Sequence, residues 1–512
     1  MNFKKLFWKK KNDKPTDNSS LLTEKHPLSA SINKNIQFIE EAFSSTDDLG
    51  KRSFHVQGRS CILYFIDTLA NAERMQNEII GPLQQSNEKN IVDRLGSPLM
   101  SKTDDLRQGI MKMMQGYCLI LLENYPEIIL VEVAEKIQRE VAESQSEAIV
   151  RGAHDSFIEN MFTNITLLRK RIQSPKLTVN YFVVGRETNT KLALVYMDHL
   201  ANPSVVQELT KRVQSIRLDS IVNPGIAEEL IEDNPWSIFP QMLSTERPDR
   251  VEANLMEGRV AILVNGNPTC LVLPVTFFSF YQSPDDYSAR WWLGTFFRFL
   301  RLTSFIIAIA LPAFYIAVIS FHFEIIPPLL TFQVKNDVEN IPFPPIVEAF
   351  ILELTIELIR EAGVRLPRYI GQTIGIVGGL VIGDAIVKAG LVSNLMIIVV
   401  ALTALSSYIV PSIEMSGSVR LIRFPLMVAA AALGFIGIMF SIIFLLIHLC
   451  KLHSVKTPYF APLSPFRFLD IKDTFIRAPF WMSNTRPLDS HPQDLQITES
   501  SREWNNDEHK PK

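Results

Sequence analysis

Cysteine is scarce in this 512-residue chain. Cys61, Cys118, Cys270 and Cys450 lie far apart, and no two form a C-x-x-C pair. That excludes a disulfide framework and a cysteine-held zinc site, and it points to a reducing compartment. A charge surplus is lacking too. The 51 basic and 54 acidic side chains leave a net charge of -3, which argues against a dedicated nucleic-acid binder. Enzyme signatures are missing: there is no P-loop, no G-x-G-x-x-G after a strand, no H-E-x-x-H and no G-x-S-x-G. Nine histidines are scattered without partners at ligand spacing, so no metal and no cofactor is expected. His154 and Asp155 beside Arg151 suggest acid–base work, but a polar cluster at a helix start is the better reading. The chain reads as a non-enzyme.

Long hydrophobic runs are what the sequence does have. Residues 302–323, 391–413 and 424–450 carry no charge, and each reaches the ~20 residues that a helix needs to cross a bilayer. A shorter run, 369–383, is plausible as a span inside a bundle. The expected class is therefore an integral membrane protein of four or five spans. The start of the chain lacks an apolar signal region: Lys4, Lys5, Lys9, Lys10, Lys11 and Lys14 surround Phe3, Leu6, Phe7 and Trp8. This stretch suits either an anionic membrane surface or a solvated tail. Residues 1–290 are then expected in the cytoplasm, in line with Arg290, Arg298 and Arg301 before the first run. Arg420 and Arg423 are a mild violation of the same rule.

The region ahead of the runs alternates strand and helix patterns. Residues 61–67 (CILYFID) predict a buried strand, with a helical stretch at 70–83. Runs 117–122 and 128–133 flank a hairpin turn, and so do 176–184 and 191–197. Asn202-Pro203 predicts the start of a helix over 204–217, and Asn265-Gly266 is the clearest turn. No residue period marks a repeat. The expected division is a basic tail (1–30), two cytoplasmic α/β lobes (31–174 and 175–290), a transmembrane helical bundle (291–450) and a polar tail (451–512). The end of that tail, from Thr485, is expected to be disordered.

Two features of the helical region bear on function. Glu353, Glu357, Glu361 and Arg365 recur every four residues on one helix face, beside Arg360. Facing lipid, three acids would cost roughly 7–10 kcal/mol, more than the surrounding aliphatic residues return. The face must meet water, a pore or cations. A carboxylate ring at a channel mouth and an amphipathic surface helix both satisfy this. Gly371, Gly375, Gly379 and Gly383 form a second row, suited to helix packing or to a thin pore wall with Val377 or Ile382 as constrictions.

Several motifs together resemble one family. They are 150–159 (VRGAHDSFIE) with Asn164 and Arg169, 247–251 (RPDRV), 257–263 (EGRVAIL), 284–287 (PDDY), 342–345 (PFPP), 361–367 (EAGVRLP), 374–379 (IGIVGG) and 458–462 (PYFAP). The chain resembles the A subunit of GerA-type nutrient germinant receptors of endospore-forming bacteria. The resemblance implies a multi-pass protein of the spore inner membrane. Its expected partners are a permease-like nutrient-binding B subunit, a lipoprotein C subunit and further copies of itself in an ion-conducting ring. A scaffold that holds B and C without conducting is the alternative. A solute transporter acting alone ranks last, since transporters usually show more spans and paired broken helices.

Overall fold

The computed structural model describes residues 25–56, 58–84, 95, 100–135, 147, 152–367, 385–386 and 388–497. The chain divides into two compact units: Met1–Gln138 with Ile165–Asn180, and Arg139–Asn164 with Tyr181–Lys512.

Strands β1 (Leu49–Val56), β2 (Arg59–Ile66), β3 (Met100–Thr103), β4 (Tyr117–Leu122) and β5 (Ile128–Glu132) make an antiparallel sheet in the order β1-β2-β4-β5-β3. Its central strands carry continuous apolar runs, 61–66, 117–122 and 128–131, because both faces are covered. Period-two alternation sorts the residues. Ile62, Tyr64, Leu119, Leu121, Ile128 and Leu130 join a core with the helices Ile32–Ala42 and Leu106–Met113. Cys61, Leu63, Cys118, Ile120, Ile129 and Val131 face the other way, onto Met75, Ile79 and Leu83. The cysteines serve here as small apolar groups, and burial pushes the Cys61 thiol up to about 12.

The second sheet has β6 (Leu177–Val184), β7 (Thr190–Met197), β8 (Leu243–Thr245), β9 (Val260–Val264) and β10 (Cys270–Leu273), in the order β6-β7-β9-β10-β8. Its strand order is the first sheet's order repeated. No residue period announces this repeat, because a topology recurs through generic apolar patterns and needs no recurring residues. Asn202 caps the Pro203–Ser215 helix and Gly266, at φ +90°, makes the β9–β10 turn. The core of this sheet joins Leu192, Leu194, Ile262 and Leu271 to Val205, Leu209 and Val213 of that helix, and to Val455 from far along the chain.

Among the described residues from 291 to 451, six α-helices follow in the same unit: Trp291–Phe321, Pro328–Glu339, Pro345–Arg365, Asn394–Tyr408, Ile413–Leu433 and Phe435–Lys451. The Trp291 helix packs on those that begin at Asn394 and Ile413. By length and composition, Trp291–Phe321 and Ile413–Leu433 are the two described helices that can cross a membrane; Asn394–Tyr408 and Phe435–Lys451 are shorter apolar helices. The uncharged run 424–450 is thus not one span. Gly434, at φ +60°, breaks it, and the Phe321 ring lies 3.1 Å from where a Cβ would stand. Ser412 caps the Ile413 helix, which carries Glu414, Arg420 and Arg423 within the apolar region. Residues 371, 375, 377, 379, 382 and 383 lie outside the described residues.

The segment expected as a polar tail is instead built into the second unit. Ser454, Tyr459, Arg477 and Ser490 are buried. Within the stretch expected to be disordered, Ser490 donates to the Glu257 carbonyl and Gln493 to the Ala201 carbonyl. Composition hides this, because the segment is held through polar side chains that meet specific partners.

Candidate functional site

The Pro345–Arg365 helix carries its acids along a gradient of exposure. Glu348, which the four-residue spacing does not pick out, is fully buried and accepts the Ser393 amide at 2.9 Å. That amide opens the Asn394–Tyr408 helix, so the carboxylate sits at a positive helix end. Tyr315 reaches the Ser393 hydroxyl at 2.9 Å. Glu353 is also fully buried; it pairs with Arg423, whose Nε donates to the Ala308 carbonyl at 2.9 Å. Glu357 is half-buried between Arg360 at 3.3 Å and Arg420 at 3.4 Å. Arg360 in turn lies 4.8 Å over the Tyr408 ring. Glu361 is exposed and pairs with Arg365 at 2.7 Å. The row thus runs from the helix-packed interior to the surface, and each member from Glu353 onward meets an arginine. Arg420 and Arg423 were the signal for this: two cations in an apolar stretch need acids nearby. Their three-residue spacing complements the four-residue spacing of Glu353 and Glu357.

The other polar concentration is at the base of the Trp291 helix, where several of the quoted motifs meet. Asp286 of the PDDY motif is fully buried; Arg298 and Arg301 reach it at 3.3 and 2.7 Å. Arg298 also pairs with Asp473 at 3.1 Å, and Tyr287 donates to the same carboxylate at 3.2 Å. Burial and the Asp473 charge push the Tyr287 phenol up. Arg259 of the EGRVAIL motif lies 3.0 Å from Asp489 and 3.2 Å from Glu257. Burial outweighs that guanidinium and pushes Glu257 up to about 7. Arg250 of the RPDRV motif reaches Glu147 at 3.1 Å and the Gln282 carbonyl at 3.2 Å. The positive-inside reading treats Arg298 and Arg301 as isolated charges and names no partners for them; those partners lie on both sides of them in sequence. His154 and Asp155 lie in a stretch without regular secondary structure ahead of the Met161–Arg171 helix.

Aromatic rings tie the second sheet's unit to the helices further along, at Phe305 in the middle of the Trp291 helix. Phe277 lies 5.4 Å from Phe305 of the Trp291 helix, 5.7 Å from Phe460 and 6.0 Å from Phe239. Phe239 stacks on His448 at 6.1 Å, and Ser237 meets His448 Nε2 at 2.9 Å. Ser418 donates to the Ile238 carbonyl at 2.6 Å. Tyr459 of the PYFAP motif donates to the Pro240 carbonyl at 2.7 Å. Buried ion pairs and rings of this kind transmit position: removing one partner leaves a charge uncompensated, so the elements keep a fixed register.

Comparison with known proteins agrees with the motifs. The profile of the family described as Bacillus/Clostridium GerA spore germination protein matches residues 37–488. Spore germination protein B1 of Bacillus subtilis (strain 168) is 38% identical over 477 residues, covering 91% of this chain and 99% of that protein. A protein of the same organism described as the uncharacterized membrane protein YfkQ is 35% identical over 469 residues, covering 90% of this chain and 91% of its own. The crystal structure of the N-terminal domain of the A subunit of the Bacillus megaterium spore germinant receptor GerK3 matches at 26% identity and a TM-score of 0.38. It covers 50% of this chain and 98% of that domain. This chain belongs to the GerA family of spore germination proteins.

Proposed function

We propose that the chain is an A-type subunit of a nutrient germinant receptor, and that its helical region conducts cations when nutrient is sensed. In this reading it sits in the spore inner membrane with its two sheets in the cytoplasm. It works there with a permease-like B subunit, a lipoprotein C subunit and further copies of itself. Family membership supports the receptor role, and the two helices long and apolar enough to span support the membrane. The observation that carries the ion path is the row of acids on the Pro345 helix, which ends in exposed Glu361. Glu357 and Glu361 face the aqueous path and concentrate cations there; Glu353, expected on that same face, is instead fully buried against Arg423, and the pair anchors the row. Val377 and Ile382 are kept as constrictions and the Gly371–375–379–383 row as a packing face. The scaffold reading draws on a different observation: from Glu353 onward, each acid of the row meets an arginine of its own chain.

Potassium efflux from vesicles that hold the purified chain separates the two. Conduction predicts efflux, reduced by about tenfold in a Glu357→Gln/Glu361→Gln variant, since charges in a low-dielectric wall raise local cation concentration by at least that factor. No efflux from the parent would support the scaffold. Equal efflux from parent and double variant would move the path away from these acids.

A further inference from the structure

We propose that residues 466–482, which follow the last helix, form a lipid-interface element that lies in the headgroup zone of the bilayer. Trp236 and the base of the Trp291 helix share this surface. The inference rests on the membrane reading above and goes beyond it, because composition marks this segment as tail.

The segment is exposed where an ordinary soluble surface would be polar. Phe466 and Phe468 are each 68% exposed, Phe480 is 62% exposed, and Ile476, Trp481 and Met482 are exposed beside them. It is not loosely attached. Asp473 of the Phe468–Thr474 helix holds Arg298, and Thr295 donates to the Arg477 carbonyl at 3.4 Å. The Arg477 guanidinium lies 4.6 Å over the Phe480 ring, and its Nη2 donates to the Tyr287 carbonyl at 3.3 Å. An ordered element thus displays its rings outward while its polar groups are used inward. That is the reverse of what water selects.

Continuity identifies the occupant. The segment is anchored at the first turns of the Trp291 helix, whose own exposed residues there are Trp292, Phe296 and Phe299. The apolar exposure continues up that helix through Ile306 and Phe314. Trp236, 94% exposed, projects from the stretch whose Ser237 holds His448 near the end of the Phe435–Lys451 helix. The Phe239–Phe277–Phe305 contacts put that helix end beside the middle of the Trp291 helix, and Phe278, next to Phe277, meets Phe475 of the segment at 5.2 Å. Three segments distant in sequence therefore display Trp and Phe at the same end of the helices, with Arg290 and Arg467 at their margins. Tryptophans, whose rings carry a polar N–H, favour the boundary between headgroups and acyl chains; phenylalanines beside them reach the acyl side, and flanking cations favour anionic lipid. A second protein would have to match all three segments; a bilayer matches them by its geometry alone.

The test uses the full chain, purified alone and reconstituted into phosphatidylcholine/phosphatidylglycerol vesicles. Cys450 is the exposed cysteine among four, so spin labels are placed on a Cys450→Ser background at Ile306→Cys, Phe468→Cys and Trp481→Cys. Oxygen and a water-soluble nickel complex report depth. The expected result is deep lipid at 306 and interfacial depth at 468 and 481. Lipid at 306 with water at 468 and 481 would overturn the inference and leave the membrane reading standing. Water at all three would overturn both. Exclusion of both reagents at 468 and 481 would mean a protein contact, and would overturn it as well. Photolabelling of the unaltered chain by a diazirine placed near the lipid headgroup gives a check free of substitutions: residues 466–482 are labelled, and an unlabelled segment contradicts the inference.

Discussion

The two sheets share one strand order and are completed in opposite ways. The first is closed by residues close to it in sequence: helices from 32–42, 72–84 and 106–113 cover its faces. Arg169 then locks onto Asp48 at 2.6 and 3.0 Å, fully buried, with Thr46 and Thr68 donating to the same carboxylate. The second sheet takes Val455 into its core and the hydroxyl of Ser454 onto the Val275 amide, beyond the six described α-helices in sequence. One topology thus serves once as a self-contained module and once as a frame to which the helices are fastened at both ends. What differs is where the closing residues come from, and that decides which sheet feels a movement of the helices.

Ending the chain after Leu452 should have the largest effect. It removes Val455 and the buried Tyr459, and it leaves Arg259 with Glu257 as its acid and Arg298 with Asp286 as its acid, each having lost one of two. Losing one of two partners costs less than the about 3–5 kcal/mol of a stranded buried charge. Together with the lost core residues, these losses approach the roughly 5–15 kcal/mol that holds a whole domain folded. Hydrogen exchange should show β7–β10 unprotected and β1–β5 unchanged; protection in both sheets would break the comparison.

Asp48→Ala should do the converse on a smaller scale. It strands Arg169 in the first unit, at about 3–5 kcal/mol, and should speed exchange in β1–β5 alone. Asp48→Ala/Arg169→Met should recover most of that loss, because an apolar replacement of a buried pair is often nearly neutral. Equal damage in the double variant would show that the pair is not the reason for the first sheet's closure.

The smallest effect is pH-dependent and confined to the second unit. Burial, with Glu414 and Glu232 nearby, pushes Glu228 from the ordinary 4.5 up to about 8. The folded state then binds this proton more tightly than the unfolded one. The stabilisation is complete below about pH 4.5 and is lost as pH rises towards 8. Glu228→Gln should therefore match the parent in thermal midpoint at pH 5 and exceed it at pH 8. A constant difference across that range would show that the carboxyl does not titrate there.

Parts of both sheets were legible because their signals are local. CILYFI reads as a strand buried on both faces, Asn-Gly as a tight turn and Asn-Pro as a helix start, and the structure has all three. The family was legible through motifs whose arginines and aspartates turn out to be buried pairs, Arg169–Asp48 and Arg298–Asp286 among them. Hydropathy counted charges along the chain, so it could not see Gly434 break a 27-residue apolar run. It also gave no partner for Glu353, because Arg423 lies 70 positions away. Ser454, Asp473 and Asp489 were hidden for the same reason. A polar residue that is buried by a specific bond looks, in sequence, like one that is solvated.

The claim that the second sheet and the helices form one fastened unit is tested most directly by Arg298→Met in the full reconstituted chain, followed by hydrogen exchange. The substitution keeps the length of the side chain but removes the charge that Asp286 and Asp473 share. The account predicts faster exchange in the Trp291 helix, in residues 453–497 and in β9–β10 together, with β1–β5 at the parent rate. Faster exchange limited to the first turns of the Trp291 helix, or spread equally over both sheets, would contradict it.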